Sequence, residues 1–264
     1  MIELDNLVKR FGTLTAVNHL SLTVKRGEFF AVLGPNAAGK TTTIKMLVGL
    51  IRPSEGHARI CGWDVEQHPL EVRRRLAYVP DFPFLYDKLT PMEFFRFTGQ
   101  LFGMTDELMD KRTSELIPRF SLQPYLNETI ESLSHGTRQR VAIVSALMHA
   151  PEVFVLDEPM VGLDPHHARV LKDVLKEQTQ QGMTIFLSTH QLSVAEEMAD
   201  RIGIIHNGRL IALGTAEELR VMSGSGGALE EAFLILTRED DEGEMARRQL
   251  HQEVPRKPAP GSGP

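Results

Sequence analysis

The chain has 264 residues, 42% hydrophobic and 24% charged, with 35 acidic against 29 basic side chains and a formal charge of −6. That balance suits a globular fold of one or two domains with a sizeable core, and it argues against a general polyanion-binding surface and so against a nucleic-acid partner. No apolar run approaches the ~18–20 residues that span a bilayer, the start MIELDNLVKRFG predicts no secretory leader, and the single cysteine, Cys61, excludes an intrachain disulfide and fits a reducing compartment.

In chain order, residues 20–24 alternate as a strand before the Lys25-Arg26-Gly27 turn, and Phe29–Leu33 (FFAVL) reads as a buried strand. The loop GPNAAGK follows, then TTTIKMLVGL as a helix packed through Ile44, Leu47 and Val48. Residues 75–79 predict another short strand. Beyond Pro91 the apolar spacing turns helical in PMEFFRFTGQLFGM, DELMDKRTSELIPRF and RQRVAIVSALMHA, so a helical subdomain at about 85–150 is expected between sheet elements. The sheet resumes at Val153–Asp157 (VFVLD). A helix over 165–181, the strand Thr184–Ser188, a helix over 194–198 and a hairpin turning on Asn207-Gly208 come next. Strands alternating with helices imply a mainly parallel sheet covered on both faces. Residues 223–264 are expected to form a separate tail: a break at 223–227, one short amphipathic helix over 229–236, then a charged and finally Pro/Gly-rich mobile segment.

Three features carry chemistry. Gly34-Pro35-Asn36-Ala37-Ala38-Gly39-Lys40-Thr41 satisfies the phosphate-binding pattern G-x-x-x-x-G-K-[ST] in the strand–loop–helix context that this P-loop requires. Successive backbone N–H groups would wrap the nucleotide phosphates while the helix points its positive end at them. Lys40 would reach the β- and γ-phosphates, and the Thr41 hydroxyl would ligate Mg²⁺. Secondly, Asp157 and Glu158 close an apolar strand, and ligands gather at the carboxyl ends of parallel strands. Asp157 would hold Mg²⁺ through its water shell, and Glu158 would take a proton from, or orient, the attacking water. By themselves two such acids read equally as caps of the next helix. Thirdly, His190 at the end of TIFLSTH is spaced to approach the γ-phosphate; the alternative is a loop histidine in a satisfied hydrogen bond. The other nine histidines, His166 and His167 included, read as surface residues.

Just ahead of the acid-bearing strand, Leu133-Ser134-His135-Gly136-Thr137-Arg138-Gln139-Arg140 resembles the LSGGQ-x-Q-R signature of ABC-type ATPases, which lies at a helix N-terminus. The order P-loop, signature, acid pair, Gly162-Leu163-Asp164 and Ser188-Thr189-His190 is similar to that family over residues 1–222, which the resemblance makes the ATP-binding domain. It implies an α/β fold: a P-loop NTPase core with a mainly parallel sheet, an antiparallel β subdomain and the inserted helices. ATP and Mg²⁺ are the implied cofactors. Two domains would pair head to tail, each ATP held by Gly34, Pro35, Asn36, Ala37, Ala38, Gly39, Lys40, Thr41 and Thr42 of one copy and by Ser134 and the Gly136 amide of the other. Phe11 matches the aromatic that stacks on adenine, a core aromatic being the alternative, and Asp164 matches the loop residue that communicates across the dimer.

Several positions depart from that pattern. Ala37 stands where glycine is usual, which is tolerable if its φ is negative. His135 replaces a signature glycine, Thr137 the signature glutamine, and Met160 a common threonine. Asp81 replaces a glutamine that touches Mg²⁺ or the attacking water and links to the transport subunit; its shorter, charged side chain is chemically able to contact the metal, and a loop aspartate that caps a turn is the alternative. The resemblance implies an ATPase that powers solute transport, more in the direction of export, through a separate integral membrane permease, the chain lying peripherally on the cytoplasmic face. Phe82, Phe84, Leu85 and Tyr86 are available for that contact, although core burial is expected for at least half of them. A soluble ABC-type ATPase acting on ribosomes or DNA is the alternative. A P-loop kinase gives no account of the signature or of His190.

Overall fold

Two patterns of burial sort the strands into two sheets in this computed structural model, which describes residues 1–224 and 227–252, with positions 239 and 242–252 as backbone only. β1 (Ile2–Phe11), β2 (Leu14–Val24), β4 (Glu55–Ile60) and β5 (Trp63–Asp64) mix buried and exposed side chains and pair antiparallel in the order β2-β1-β4-β5. One face of that sheet packs and the other is solvated. β3 (Phe29–Leu33), β7 (Val153–Asp157) and β8 (Thr184–Ser188) are buried at every position. With β6 (Leu76–Val79), β9 (Arg201–His206) and β10 (Arg209–Gly214) they form a second sheet, ordered β10-β9-β3-β8-β7-β6. Every pairing in it is parallel except the β9–β10 hairpin.

The helices are α1 (Lys40–Leu47), α2 (Pro69–Arg75), α3 (Pro91–Leu101), α4 (Asp106–Arg119), α5 (His135–Leu147), α6 (Pro165–Gln180), α7 (Leu192–Met198), α8 (Ala216–Met222) and α9 (Leu229–Gln252). Their starts follow from capping chemistry. Thr90 and Thr215 each form a reciprocal pair with a glutamate three residues on, while Thr105, Ser134 and Asp164 accept a backbone N–H from the first turn.

The parallel sheet divides its side chains by the period of two. Phe30, Val32, Val153, Val155 and Phe186 face the antiparallel sheet and α1, packing with Ile2, Leu20, Leu22 and Ile44. Phe29, Phe154, Leu156, Ile185 and Leu187 face the other way, where they meet α6 and the inserted helices α3 to α5 through Phe95, Leu116, Phe120 and Val141. Because both faces are covered, the central strands carry unbroken apolar runs. The inserted helices share this core instead of closing one of their own.

The C-terminal helix departs from expectation. The short helix foreseen over 229–236 is a single helix, α9, that continues to Gln252. Its second half, REDDEGEMARRQLHQ, has few residues to bury, which read as a mobile tail, but it is rich in Glu, Arg, Met and Gln, which favour helix intrinsically. Leu229 and Ala232 are fully buried in a third cluster with Ala31, Leu33 and Leu219. Further along, Asp241 accepts from Asn207 (3.2 Å) and lies 2.8 Å from His206 Nε2. Residues 225–226 of the expected break and 253–264 of the expected tail lie outside the described residues. Leu229→Ala should cost about 2–5 kcal/mol in denaturant unfolding, whereas a change near zero would mean that α9 is not packed on the domain.

Candidate active site

The loop from β3 into α1 is shaped by two left-handed residues. Gly39 caps α1 at φ 108, and a Cβ there would lie 2.6 Å from the Ala16 carbonyl, so only glycine fits. Ala37 also sits at positive φ, 63°. The negative φ expected for it is therefore corrected: the loop geometry requires the left-handed region whichever residue is present, at about 1–2 kcal/mol for a side chain. Backbone bonds from Ala38 to Pro35 O (3.2 Å) and from Gly208 to Ala38 O (2.9 Å) hold the turn. Lys40 Nζ donates to Gly34 O (2.6 Å) and Pro35 O (3.1 Å). Burial pulls the Lys40 pKa down, partly offset by the carboxylates of Glu158 and Asp157.

A cleft of about 350 Å³ gathers the residues from Asn36 to Thr42 with Phe11, Asp81, Asp157 and Glu158. Phe11 is 50% exposed, so it is a surface ring and not a core aromatic. Asp157 is almost wholly buried, and its Oδ1 has no hydrogen-bond partner. A buried free carboxylate oxygen sharing a cleft with the exposed Thr41 suits a hard cation with oxygen ligands. Among the described residues no three His, Cys, Asp or Glu side chains are arranged to hold a metal ion by themselves, so phosphate oxygens and water would have to complete the shell.

Glu158 stands at φ 49, its N–H donating to Ser188 O (2.9 Å) on the neighbouring strand. His190 Nδ1 lies 2.9 Å from Glu158 Oε2, but the contact is poorly directed and leaves Oε2 without a true hydrogen bond. The imidazole therefore meets the second acid, not a satisfied loop partner. Tyr78, which the sequence did not single out, is the penultimate residue of the adjacent strand β6. Burial, reinforced by Asp157 and Asp81, pushes its phenol pKa well above the usual value.

Ser134, Gly136 and Asp164 do not line this cleft. They form a second cluster where the start of α5 meets the loop before α6. Ser134 is exposed and caps α5 through Thr137 N (3.3 Å). A Cβ on Gly136 would lie 2.6 Å from Gly162 O, so helix and loop touch through their backbones. The bulk of His135 is accommodated because its ring occupies the space that a Gly162 side chain would need. Asp164 caps α6 through His167 N (3.0 Å), and its Oδ2 lies 2.6 Å from His167 Nδ1. The backbone bond and then the imidazole bond lower its pKa to about 2.

Two expectations change here. The surface reading fails for three histidines: His206 is buried, His149 is half-buried, and the His167 side chain is 15% exposed and sits between Asp164 and Arg140, a placement foreshadowed only by its position three residues after the cap. Phe82, Phe84 and Tyr86 are exposed by 70%, 93% and 58%, and only Leu85 packs partly on the core. Pro80 and Pro83 keep this segment out of regular structure. Phe84 with Phe94, Phe102 and His149 walls a second cavity of about 220 Å³.

What the first cleft defines is a P-loop nucleotide-binding domain. A family model described as ABC transporter matches residues 17–161, more than half of the chain, and the chain belongs to that family. The linearmycin resistance ATP-binding protein LnrL of Bacillus subtilis (strain 168) is 34% identical over 245 residues, spanning 90% of this chain and 79% of LnrL. Among solved structures, an ATP binding subunit of an ABC transporter matches with a TM-score of 0.86 at 35% identity, over 90% of this chain and 99% of that one. The ATP-binding cassette MJ0796, solved as a dimer in a post-hydrolysis state bound to ADP and Pi, matches with a TM-score of 0.75 at 27% identity, over 81% and 98%.

His149 stacks on Phe102 with ring centroids 3.7 Å apart, and burial, offset only in part by the Leu76 backbone, lowers its pKa from 6.5 to about 4. Between those values the unfolded chain takes up a proton that the folded chain does not, so stability falls as pH drops through this window. His149→Leu should flatten that part of a stability–pH profile measured by denaturant melts; an unchanged slope would contradict the burial argument.

Proposed function

We propose that this chain is the ATP-hydrolysing subunit that drives solute export through a separate membrane permease. The observation that carries this reading is the separation, within one copy, of two helix starts suited to anions. The start of α1 opens into the cleft, whereas the start of α5, with Ser134 and the Gly136 N–H, lies outside it and faces solvent. A second copy placed head to tail would bring its α5 start to the triphosphate held by the first. Nucleotide would then join the copies, and hydrolysis would remove the shared anion.

Within each cleft, Lys40 would hold the β- and γ-phosphates, with Phe11 against the base. Thr41 and Asp157, and Asp81 where its shorter side chain reaches, would hold Mg²⁺, whose charge offsets that developing on the phosphates. Glu158 would accept the proton of the attacking water, its approach set by the Ser188 bond and by His190 beside it.

The permease is supported by the run of exposed aromatic rings at Phe82, Phe84 and Tyr86, a kind of apolar surface that marks interaction sites. Among the described residues no helix is long and apolar enough to cross a membrane, so a pore would belong to another chain, with this one on the cytoplasmic face. The resistance role in LnrL's name favours export. The ribosome or DNA alternative gains nothing from a net charge of −6.

Glu158→Gln should keep ATP binding, lower turnover by about 10²–10⁴-fold and accumulate an ATP-bound dimer in size-exclusion chromatography; hydrolysis at the parent rate would remove Glu158 as the base. Lys40→Ala should lose ATP binding itself. Asp81→Ala should lower transport-coupled turnover more than ATP affinity, and equal losses would sink its assignment. Purification from solubilised membranes should bring down a multi-span protein that Phe84→Asp loses, whereas a ribosomal or nucleic-acid partner would overturn the transport reading.

A further inference from the structure

A continuous run of side-chain contacts joins Ser134 to Asp164 inside one copy. Ser134 Oγ lies 3.0 Å from Thr137 Oγ1, which accepts from Arg140 Nη2 at 2.9 Å. Arg140 Nη1 is 2.9 Å from His167 Nε2, and His167 Nδ1 is 2.6 Å from Asp164 Oδ2. A guanidinium only donates, so Nε2 must accept and the ring hydrogen resides on Nδ1, where it is given to Asp164. The order of donors and acceptors along the run is thereby set by Arg140.

Arg140 is itself immobilised. It is 6% exposed, and Nη1 also donates to the carbonyls of Phe120 (2.7 Å) and Ser121 (3.2 Å). The backbones of Gly136 and Gly162 touch beside it, and the His135 ring fills the remaining gap. The start of α5 and the loop bearing Asp164 are therefore in contact through both backbone and side chains. His167 closes the polar run between α5 and Asp164, while Gln139 Nε2 separately donates to Pro159 O nearer the start of the same loop, at 3.4 Å. The part played by His167 depends on being an acceptor on one side and a donor on the other.

We propose that His167 is a positioning residue that ties the Asp164 loop to the start of the Ser134 helix, so that nucleotide contact at Ser134 is felt at Asp164 and the two ATP sites of a dimer turn over together. The proposal rests on the two-copy reading given above. In that arrangement Ser134 faces the nucleotide of the opposite copy, while Asp164 lies on the loop that follows this copy's own Glu158. The run thus spans the two sites without leaving one chain. Asp164 stays ionised, as an acceptor in this run must, well below neutral pH.

Substitution at 167 can isolate this role from folding. The cap of α6 uses the His167 backbone N–H, which every residue except proline retains. Leucine fills a similar volume with no polar atom, whereas the glutamine amide supplies one acceptor for Arg140 and one donor for Asp164. In the full-length chain, His167→Leu should leave ATP affinity unchanged, lower turnover about tenfold and bring the Hill coefficient for ATP from about 2 to about 1. His167→Gln should recover both turnover and cooperativity. The proposal is overturned if the leucine variant keeps the parent's Hill coefficient and turnover, or if glutamine performs no better than leucine, since a packing role would not distinguish them that way. A parent chain that neither dimerises with ATP nor hydrolyses it would instead overturn the functional reading, and this proposal with it.

Discussion

Convergence of backbone N–H groups on one small volume is the interaction on which the site depends. The turn at Gly39 brings the loop from Asn36 and the start of α1 to line one cleft, the arrangement by which loop amides and a helix's positive end bind an anion. Such a turn is stable only on a rigid support, and β3, buried at every position between parallel neighbours, provides one. Lys40 adds a buried cation that the Gly34 and Pro35 carbonyls satisfy. Exchanging those carbonyls for phosphate oxygens would replace neutral acceptors by charged ones and strengthen each bond roughly twofold.

The parallel order of β3, β8 and β7 brings the other chemical groups to the same edge. Asp157 pairs with Ser188 in register, so the first acid and the segment leading to His190 end side by side. Glu158 at positive φ turns away from the strand just beyond that point. Strain of this kind persists where its surroundings enforce it, here through the Ser188 bond. The acid pair is thus positioned by sheet register, whereas the phosphate loop is positioned by a glycine turn.

The surface proposed for partners lies in a different part of the fold. α5 runs directly into the loop before β7, so the exposed start at Ser134 and the acids belong to one helix–strand unit. The segment bearing Phe84 and Tyr86 is fastened to the approach to α5 by backbone bonds from Ile130 to Leu89 O and from Glu131 to Asp87 O, 2.9 and 3.0 Å long. Asp87 also pairs with Arg138 at 2.7 Å, a half-exposed contact worth only about 0–1 kcal/mol. The backbone links are the firmer ones. The aromatic wall and the approach to α5 are therefore joined through the backbone.

Much of this was legible in the residues because each element announces itself locally. FFAVL, VFVLD and TIFLS read as central strands since both faces of a parallel sheet are covered, and the phosphate loop is a short contiguous pattern. What escaped depends on how residues meet in the folded chain. Ala37 sits in a turn held by the bonds of Ala38 to Pro35 and Gly208, His167 is covered by Arg140, and Phe82 is left exposed between two prolines that deny it a strand. The length of α9 escaped because intrinsic helix preference, not an apolar stripe, sustains its second half. The central claim is that one triphosphate is gripped by the P-loop of one copy and the α5 start of another. Thiol cross-linking tests it most directly, mixing Asn36→Cys and His135→Cys chains, each also carrying Cys61→Ser and Glu158→Gln, with a short bifunctional reagent. An interchain product that forms with ATP and vanishes without it is the predicted result; no product at any ATP concentration would contradict the account.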